Sequence, residues 1–106
     1  MICKQFVEKN GSLVARVTFS LPSSIWADTI CLVGEFNGWN PESHPFQRAE
    51  DGSWVLTMEF ECGRRYEFRY LCDRREWMND NQADAYVANR FAGSNCVLIT
   101  DPPPEE

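Results

Sequence analysis

Through several short runs of this chain, apolar residues return at every second position, and turn residues separate the runs. From Ser53 to Phe60, Trp54, Leu56, Met58 and Phe60 fall on one face and Val55, Thr57 and Glu59 on the other. That period of two marks a half-buried strand, and it makes Trp54 a core residue. The same alternation from Arg65 to Cys72 collects Tyr66, Phe68, Tyr70 and Cys72 on one side. Arg65, Glu67, Arg69 and Leu71 take the other side, so Arg69 points away from the core. ICKQFVE and SLVARVTFS flank Asn10-Gly11, a pair that accepts the positive φ angles of a two-residue hairpin turn. TICLVGE (Thr29 to Glu35) and NCVLIT (Asn95 to Thr100) supply further strands. No segment sustains a helical period. The chain reads as all-β, and about seven short strands at hairpin-scale spacing predict an immunoglobulin-like β-sandwich.

Asp51-Gly52 and Gly63 mark turns, and after Trp77 runs a long polar connection, MNDNQADAYVANRFAGS. A connection of that length in a compact domain points to function or to packing on itself. With 106 residues the chain is expected to form one domain over residues 1–100. DPPPEE, residues 101–106, cannot pair in a sheet and reads as a disordered, acidic, proline-rich tail. The initiating Met and the short tail fit a complete small protein. No apolar run approaches the roughly 18 residues of a membrane span, and MICKQFVEKN lacks the apolar core of a signal peptide. A cytoplasmic location with no membrane partner is expected.

Charge and cysteines narrow the classes further. Ten Lys and Arg stand among 16 Asp and Glu, a net charge of −6, which argues against nucleic acid as a partner. The five cysteines, Cys3, Cys31, Cys62, Cys72 and Cys96, contain no C-x-x-C pair. They read as buried free thiols in a reducing compartment, with no zinc or dithiol chemistry. Asn10-Gly11-Ser12 is a glycosylation sequon, but without secretion it means only a turn.

Catalytic constellations are thin. The single histidine, His44, sits in ESHPF without a nucleophile motif and reads as a surface loop residue. DNQAD (Asp80 to Asp84) lacks the Gly and the closing Glu of a calcium loop. There is no Gly-rich phosphate loop, and a small sandwich seldom builds the deep cleft that a glycosidase carboxylate pair needs. No catalytic residue, metal site or cofactor is predicted, and the chain is not expected to be an enzyme.

What remains is aromatic and polar. Trp39 stands among turn residues in GEFNGWNP, where Gly34, Gly38 and Pro41 shape a turn that displays it; Trp77 follows the charged DRRE. A sugar ring offers C–H patches that suit aromatic faces and a rim of hydroxyls that suits Arg and Asn.

LVGEFNGWNP, followed by DGSWVLTMEF, GRRYEFRYLCD, EWMND and GSNCVLI, resembles the family-48 carbohydrate-binding modules over roughly Ser12 to Thr100. These include the isoamylase N-terminal (early-set) domains and the glycogen-binding domain of the AMP-activated protein kinase β subunit; the short stand-alone bacterial early-set proteins look most similar. The resemblance implies an early-set β-sandwich that binds α-1,4-glucans such as glycogen and starch. It puts stacking tryptophans at Trp39 and Trp77 and a hydrogen-bonding cation at Arg69, although the DRRE turn is one residue longer than the family's. The sugar-contacting Asn-Asn pair of the kinase domain appears as Ser94-Asn95, so one contact is shortened or lost. For the leucine that inserts against the glucan, Phe91 is the nearest counterpart. The leading expectation is a non-catalytic α-glucan-binding module. Two alternatives are a protein-interaction module using the same tryptophans, with a glycogen-metabolism enzyme among its partners, and the accessory N-terminal domain of a branching or debranching enzyme.

Overall fold

The computed structural model describes residues 1–89 and 93–102. Strands β1 (Ile2–Lys9) and β2 (Ser12–Leu21) form the hairpin that Asn10-Gly11 predicts, with Lys9 opposite Ser12 and φ angles of 53° and 81° at the two turn residues. Next come β3 (Ile30–Gly34), a 3₁₀ turn at Glu35–Asn37, β4 (Gln47–Arg48), β5 (Trp54–Glu61), β6 (Arg65–Cys72), β7 (Glu76–Met78), β8 (Ala85–Ala88) and β9 (Ser94–Ile99). Two antiparallel sheets result, β1-β2-β5-β4 and β3-β6-β9-β8, with β7 also paired to β6. This is an immunoglobulin-like β-sandwich, and among the described residues no helix is long and apolar enough to cross a membrane.

The described residues hold nine strands where about seven were expected. β4 and β7, of two and three residues, are too short to show alternation. β8 lies inside the polar connection after Trp77, which packs on itself: Tyr86 Oη donates to the carbonyl of Asp80 and accepts the N–H of Ala83. Of the expected tail, residues 103–106 lie outside the described residues.

Alternation decides what each face meets. On the inner faces Phe19 packs edge-on to Phe68 with centroids 5.5 Å apart, Phe46 does the same to Tyr70 at 5.6 Å, and Trp54 is 3% exposed. Trp54 Nε1 donates to the carbonyl of Ile25 at 3.4 Å, and the Arg48 guanidinium lies 4.3 Å from its ring centroid. On the outer face of the first sheet, Glu59 bonds Lys9 at 2.7 Å and Arg16 at 3.1 Å, which holds its carboxyl below the usual range.

Two sequence expectations need correction. Cys3 is exposed, because β1 turns Ile2 and Phe6 toward the core and leaves Cys3 on the other face. His44 is half-buried: its Nδ1 accepts from Asn37 Nδ2 at 2.9 Å, and its ring stands edge-on to Phe36. Cys31, Cys72 and Cys96 are buried and Cys62 partly so, and all five thiols are free. Burial pushes the thiols of Cys31, Cys72 and Cys96 upward.

β3 reaches β6 with no space to spare at Gly34. A Cβ there would lie 2.5 Å from the carbonyl oxygen of Glu67, 2.7 Å from Phe36 Cε1 and 2.9 Å from Phe68 Cβ. The first of these is backbone, locked in the sheet, so it cannot yield cheaply.

Trp54→Ala is expected to destabilise the fold by about 3–5 kcal/mol in chemical denaturation, since a buried indole and its cavity are lost together. Gly34→Ala should cost about 1–3 kcal/mol for overpacking against that carbonyl, read by the same measurement. Thiol titration of the native protein should show Cys3 reacting first, with Cys31, Cys72 and Cys96 reacting only on unfolding; fast reaction at a buried thiol would contradict the burial pattern.

Candidate functional site

The outer face of the second sheet carries the candidate chemistry, because the period of β6 that sends Phe68 and Tyr70 inward sends Glu67, Arg69 and Leu71 outward. Register then fixes their neighbours. Val33 pairs with Arg69 and Trp77 with Leu71, so Trp77 and Arg69 share a face. Cys31, Val33 and Leu71 form a small buried apolar cluster there, the floor of the site.

Trp77 is 46% exposed, and the guanidinium carbon of Arg69 lies 5.7 Å from its ring centroid, within cation–π range. Arg69 Nε donates to Asn79 Oδ1 at 2.9 Å, and Asn79 Nδ2 donates to the Ser94 carbonyl at 2.9 Å and to Ser94 Oγ at 3.3 Å. Among the described residues the Nη groups of Arg69 have no protein partner and remain available as donors. The next residue, Asp80, turns inward: it is 4% exposed, accepts from Tyr70 Oη at 2.9 Å, and lies 3.5 Å from the amino group of Met1. Burial, then the charge of Asp80, pushes the Tyr70 phenol upward, so it stays a donor. This inward anchor leaves Asn79 facing the arginine.

A second string of bonds runs beside the first. Asn95 Nδ2 donates to Glu67 Oε1 at 3.0 Å, and Asn89 Nδ2 donates to Asn95 Oδ1 at 3.2 Å. The backbone N–H of Glu67, beyond the last pair with β3, is taken up by Glu35 Oε1 at 2.7 Å.

Trp39 arrives by a different route. Gly38 and Trp39 both lie in the left-handed region, with φ of 66° and 60°, uncommon for a bulky side chain. Trp39 N–H donates to the Gly34 carbonyl at 2.9 Å, while Asn37 bonds the Gly34 N–H, the Leu32 carbonyl and His44 beneath the loop. The indole is left 38% exposed. Farther along the same loop, Glu42 meets Arg74 of the β6–β7 turn at 3.1 Å, so the loop bearing Trp39 and the hairpin bearing Trp77 touch at their rims. Among the described residues no ring contact joins the two tryptophans directly.

Of the residues singled out in the sequence, Arg69, Trp77 and Ser94 belong to the first string, Asn95 to the second beside it, and Trp39 stands on the adjoining loop. Phe91 lies outside the described residues. Asn79 and Glu67 were not singled out as site residues. Asn79 follows Trp77 by two, the spacing that keeps two residues of an extended segment on one face, and that was its signal. Among the described residues no group of three or more His, Cys, Asp and Glu is placed to hold a metal ion.

This chain is similar to the N-terminal parts of much longer proteins. It is 36% identical over 63 residues to the 1,4-alpha-glucan branching enzyme GlgB of Photobacterium profundum, covering 58% of this chain and 9% of that protein. Over 83 residues it is 30% identical to the enzyme of the same name from Rhodopirellula baltica, covering 74% of this chain and 11% of that one. A third, from Cupriavidus pinatubonensis, is 28% identical over 87 residues, covering 74% and 12%. The chain thus spans about a tenth of the length of these relatives. Residues 11–87, which include Trp39, Arg69 and Trp77, match the family described as carbohydrate-binding module 48, the isoamylase N-terminal domain. That match covers most of the sandwich, and the chain belongs to this family of carbohydrate-binding modules.

Proposed function

We propose that the chain binds α-1,4-glucan chains of the glycogen or starch type without catalysing their reaction, on the outer face of β6, β7 and β9. Trp77 and Trp39 stack against sugar rings, and the Nη groups of Arg69 donate to hydroxyls. Ser94 and Asn95 order the polar rim, with Asn79 holding Arg69 in place. The observation that carries the reading is the Trp77–Arg69–Asn79 arrangement: an exposed indole with a guanidinium fixed over its ring and donors left over. It presents together what a sugar needs, an apolar face and adjacent hydrogen-bonding groups. The residues are bonded to one another before a ligand arrives, which lowers the ordering cost of binding.

The comparisons favour one specific role for such a face. Relatives of which this domain is a small N-terminal part are named 1,4-alpha-glucan branching enzymes, so the module serves to hold a glucan near a glucan-modifying activity, carried on the same chain or on a partner. Five free thiols suit a reducing, cytoplasmic setting for that work.

Binding is expected to be weak, roughly micromolar to millimolar, because a shallow face recovers little beyond the cost of immobilising a flexible sugar. Affinity electrophoresis in gels with and without glycogen tests the proposal. Trp39→Ala and Trp77→Ala should each weaken retention by about 0.5–1.5 kcal/mol, roughly two- to twelvefold, with nearly unchanged melting temperature. Arg69→Ala should have a smaller effect, and Asn79→Ala should match it by letting the guanidinium swing free. Unretarded migration of the folded parent would reject glucan binding and leave the tryptophans as anchors for a protein.

A further inference from the structure

At the other end of β3 lies a feature that the glucan face does not use. Trp26 is 94% exposed, the most exposed large apolar residue among those described. It stands at the lip of an open cleft of about 530 Å³ with Ile25 and Ala27 in its wall and Ser23, Asp28, Arg48 and Asp73 around it. That volume is in the range of small-ligand sites.

Two of the polar groups, Arg48 and Asp73, are held in place by the fold. Arg48 is fixed by its stacking on Trp54 and by a bond from one Nη to the Ala27 carbonyl at 3.3 Å. Asp73, in the β6–β7 turn, accepts the backbone N–H groups of Asp28 at 2.6 Å and Thr29 at 3.0 Å through one oxygen, which leaves the other open. Those two bonds hold its carboxyl below the usual range, so it stays an acceptor at neutral pH. The Asp28 side chain has no partner among the described residues. Two carboxylates and one guanidinium set acceptors and a donor side by side, and their net negative charge disfavours phosphate-bearing ligands. A neutral polyol satisfies both, donating hydroxyl protons to the aspartates, accepting from Arg48 and laying its C–H face on the indole.

We propose that this cleft is a second saccharide site, which takes a neutral hexose unit of the same glucan class; the choice of ligand class rests on the function proposed above. Trp39 follows the C-terminal end of β3 and Trp26 precedes its N-terminal end. The five residues of β3 separate the sites by roughly 16 Å of strand. A polymer that engages both gains avidity that a short oligosaccharide lacks.

The test is a titration with maltotriose followed by the indole Nε1–H signals, assigned with single alanine variants of Trp26, Trp39 and Trp77. The proposal expects the Trp26 signal to shift in the parent and to shift equally in the Trp39→Ala/Trp77→Ala double variant. Asp28→Ala, which removes no bond of the fold, should raise the maltotriose concentration needed for half of that shift at least threefold. If the Trp39 and Trp77 signals move and Trp26 stays still, or moves only while the other two are intact, the second site is overturned and the first stands. In that case the exposed Trp26 ring is left for a protein surface. An undiminished Trp26 shift in Asp28→Ala also overturns the assigned site. If no indole moves, both proposals fall together.

Discussion

Successive side chains of a strand leave on opposite faces, and β6 makes that constraint govern the whole molecule. It pairs with β3, β7 and β9, so the register that sends Phe68 and Tyr70 into the core also sets Glu67, Arg69 and Leu71 on the outside. A one-residue slip would expose both aromatic rings and bury the guanidinium. The core therefore guards the site: the hydrophobic penalty for misregister is what holds Arg69 opposite Val33 and Leu71 beside Trp77.

The outer face is also economical in how it handles ends and gaps in the sheet. Where β3 stops at Gly34, Glu35 supplies an acceptor to the next N–H of β6. Where β7 gives out after Met78, Asn79 and Asp80 divide the labour, one bonding outward to Arg69 and Ser94, the other inward to Tyr70. One backbone donor, the Glu67 N–H, and one backbone acceptor, the Ser94 carbonyl, are thereby satisfied, and the Asn79 amide also holds Arg69 beside the exposed indole.

Much of this was legible before any coordinates. The alternation in β5 and β6 reported the faces directly, and Asn10-Gly11 announced its turn. Arg69 is set on the outer face by the visible period of β6, whereas Trp77 stands out because it follows the charged DRRE outside any visible strand pattern, and the family resemblance is what links the two. The rest escaped for identifiable reasons. β4 and β7 are shorter than one cycle of alternation needs to be seen, and β8, AYVA, is four residues long inside a polar connection that reads as loop. His44 is half-buried through a hydrogen bond to Asn37, a tertiary contact that no local pattern encodes. Trp26 sits in PSSIWAD, between recognisable strands, where neither burial nor display is marked by spacing.

Two left-handed residues in succession, Gly38 and Trp39, carry a consequence for anyone who evolves this domain in the laboratory. Glycine occupies that backbone region freely and asparagine with little resistance, whereas a bulky residue there stores strain on the order of 1–3 kcal/mol. Selection for heat resistance alone is thus drawn to position 39 and rewards glycine or asparagine there, which relieve the backbone where alanine does not. A lineage bred for hardiness drifts toward a sturdier sandwich that has lost one ring of the proposed glucan face, unless each round of selection also screens for binding.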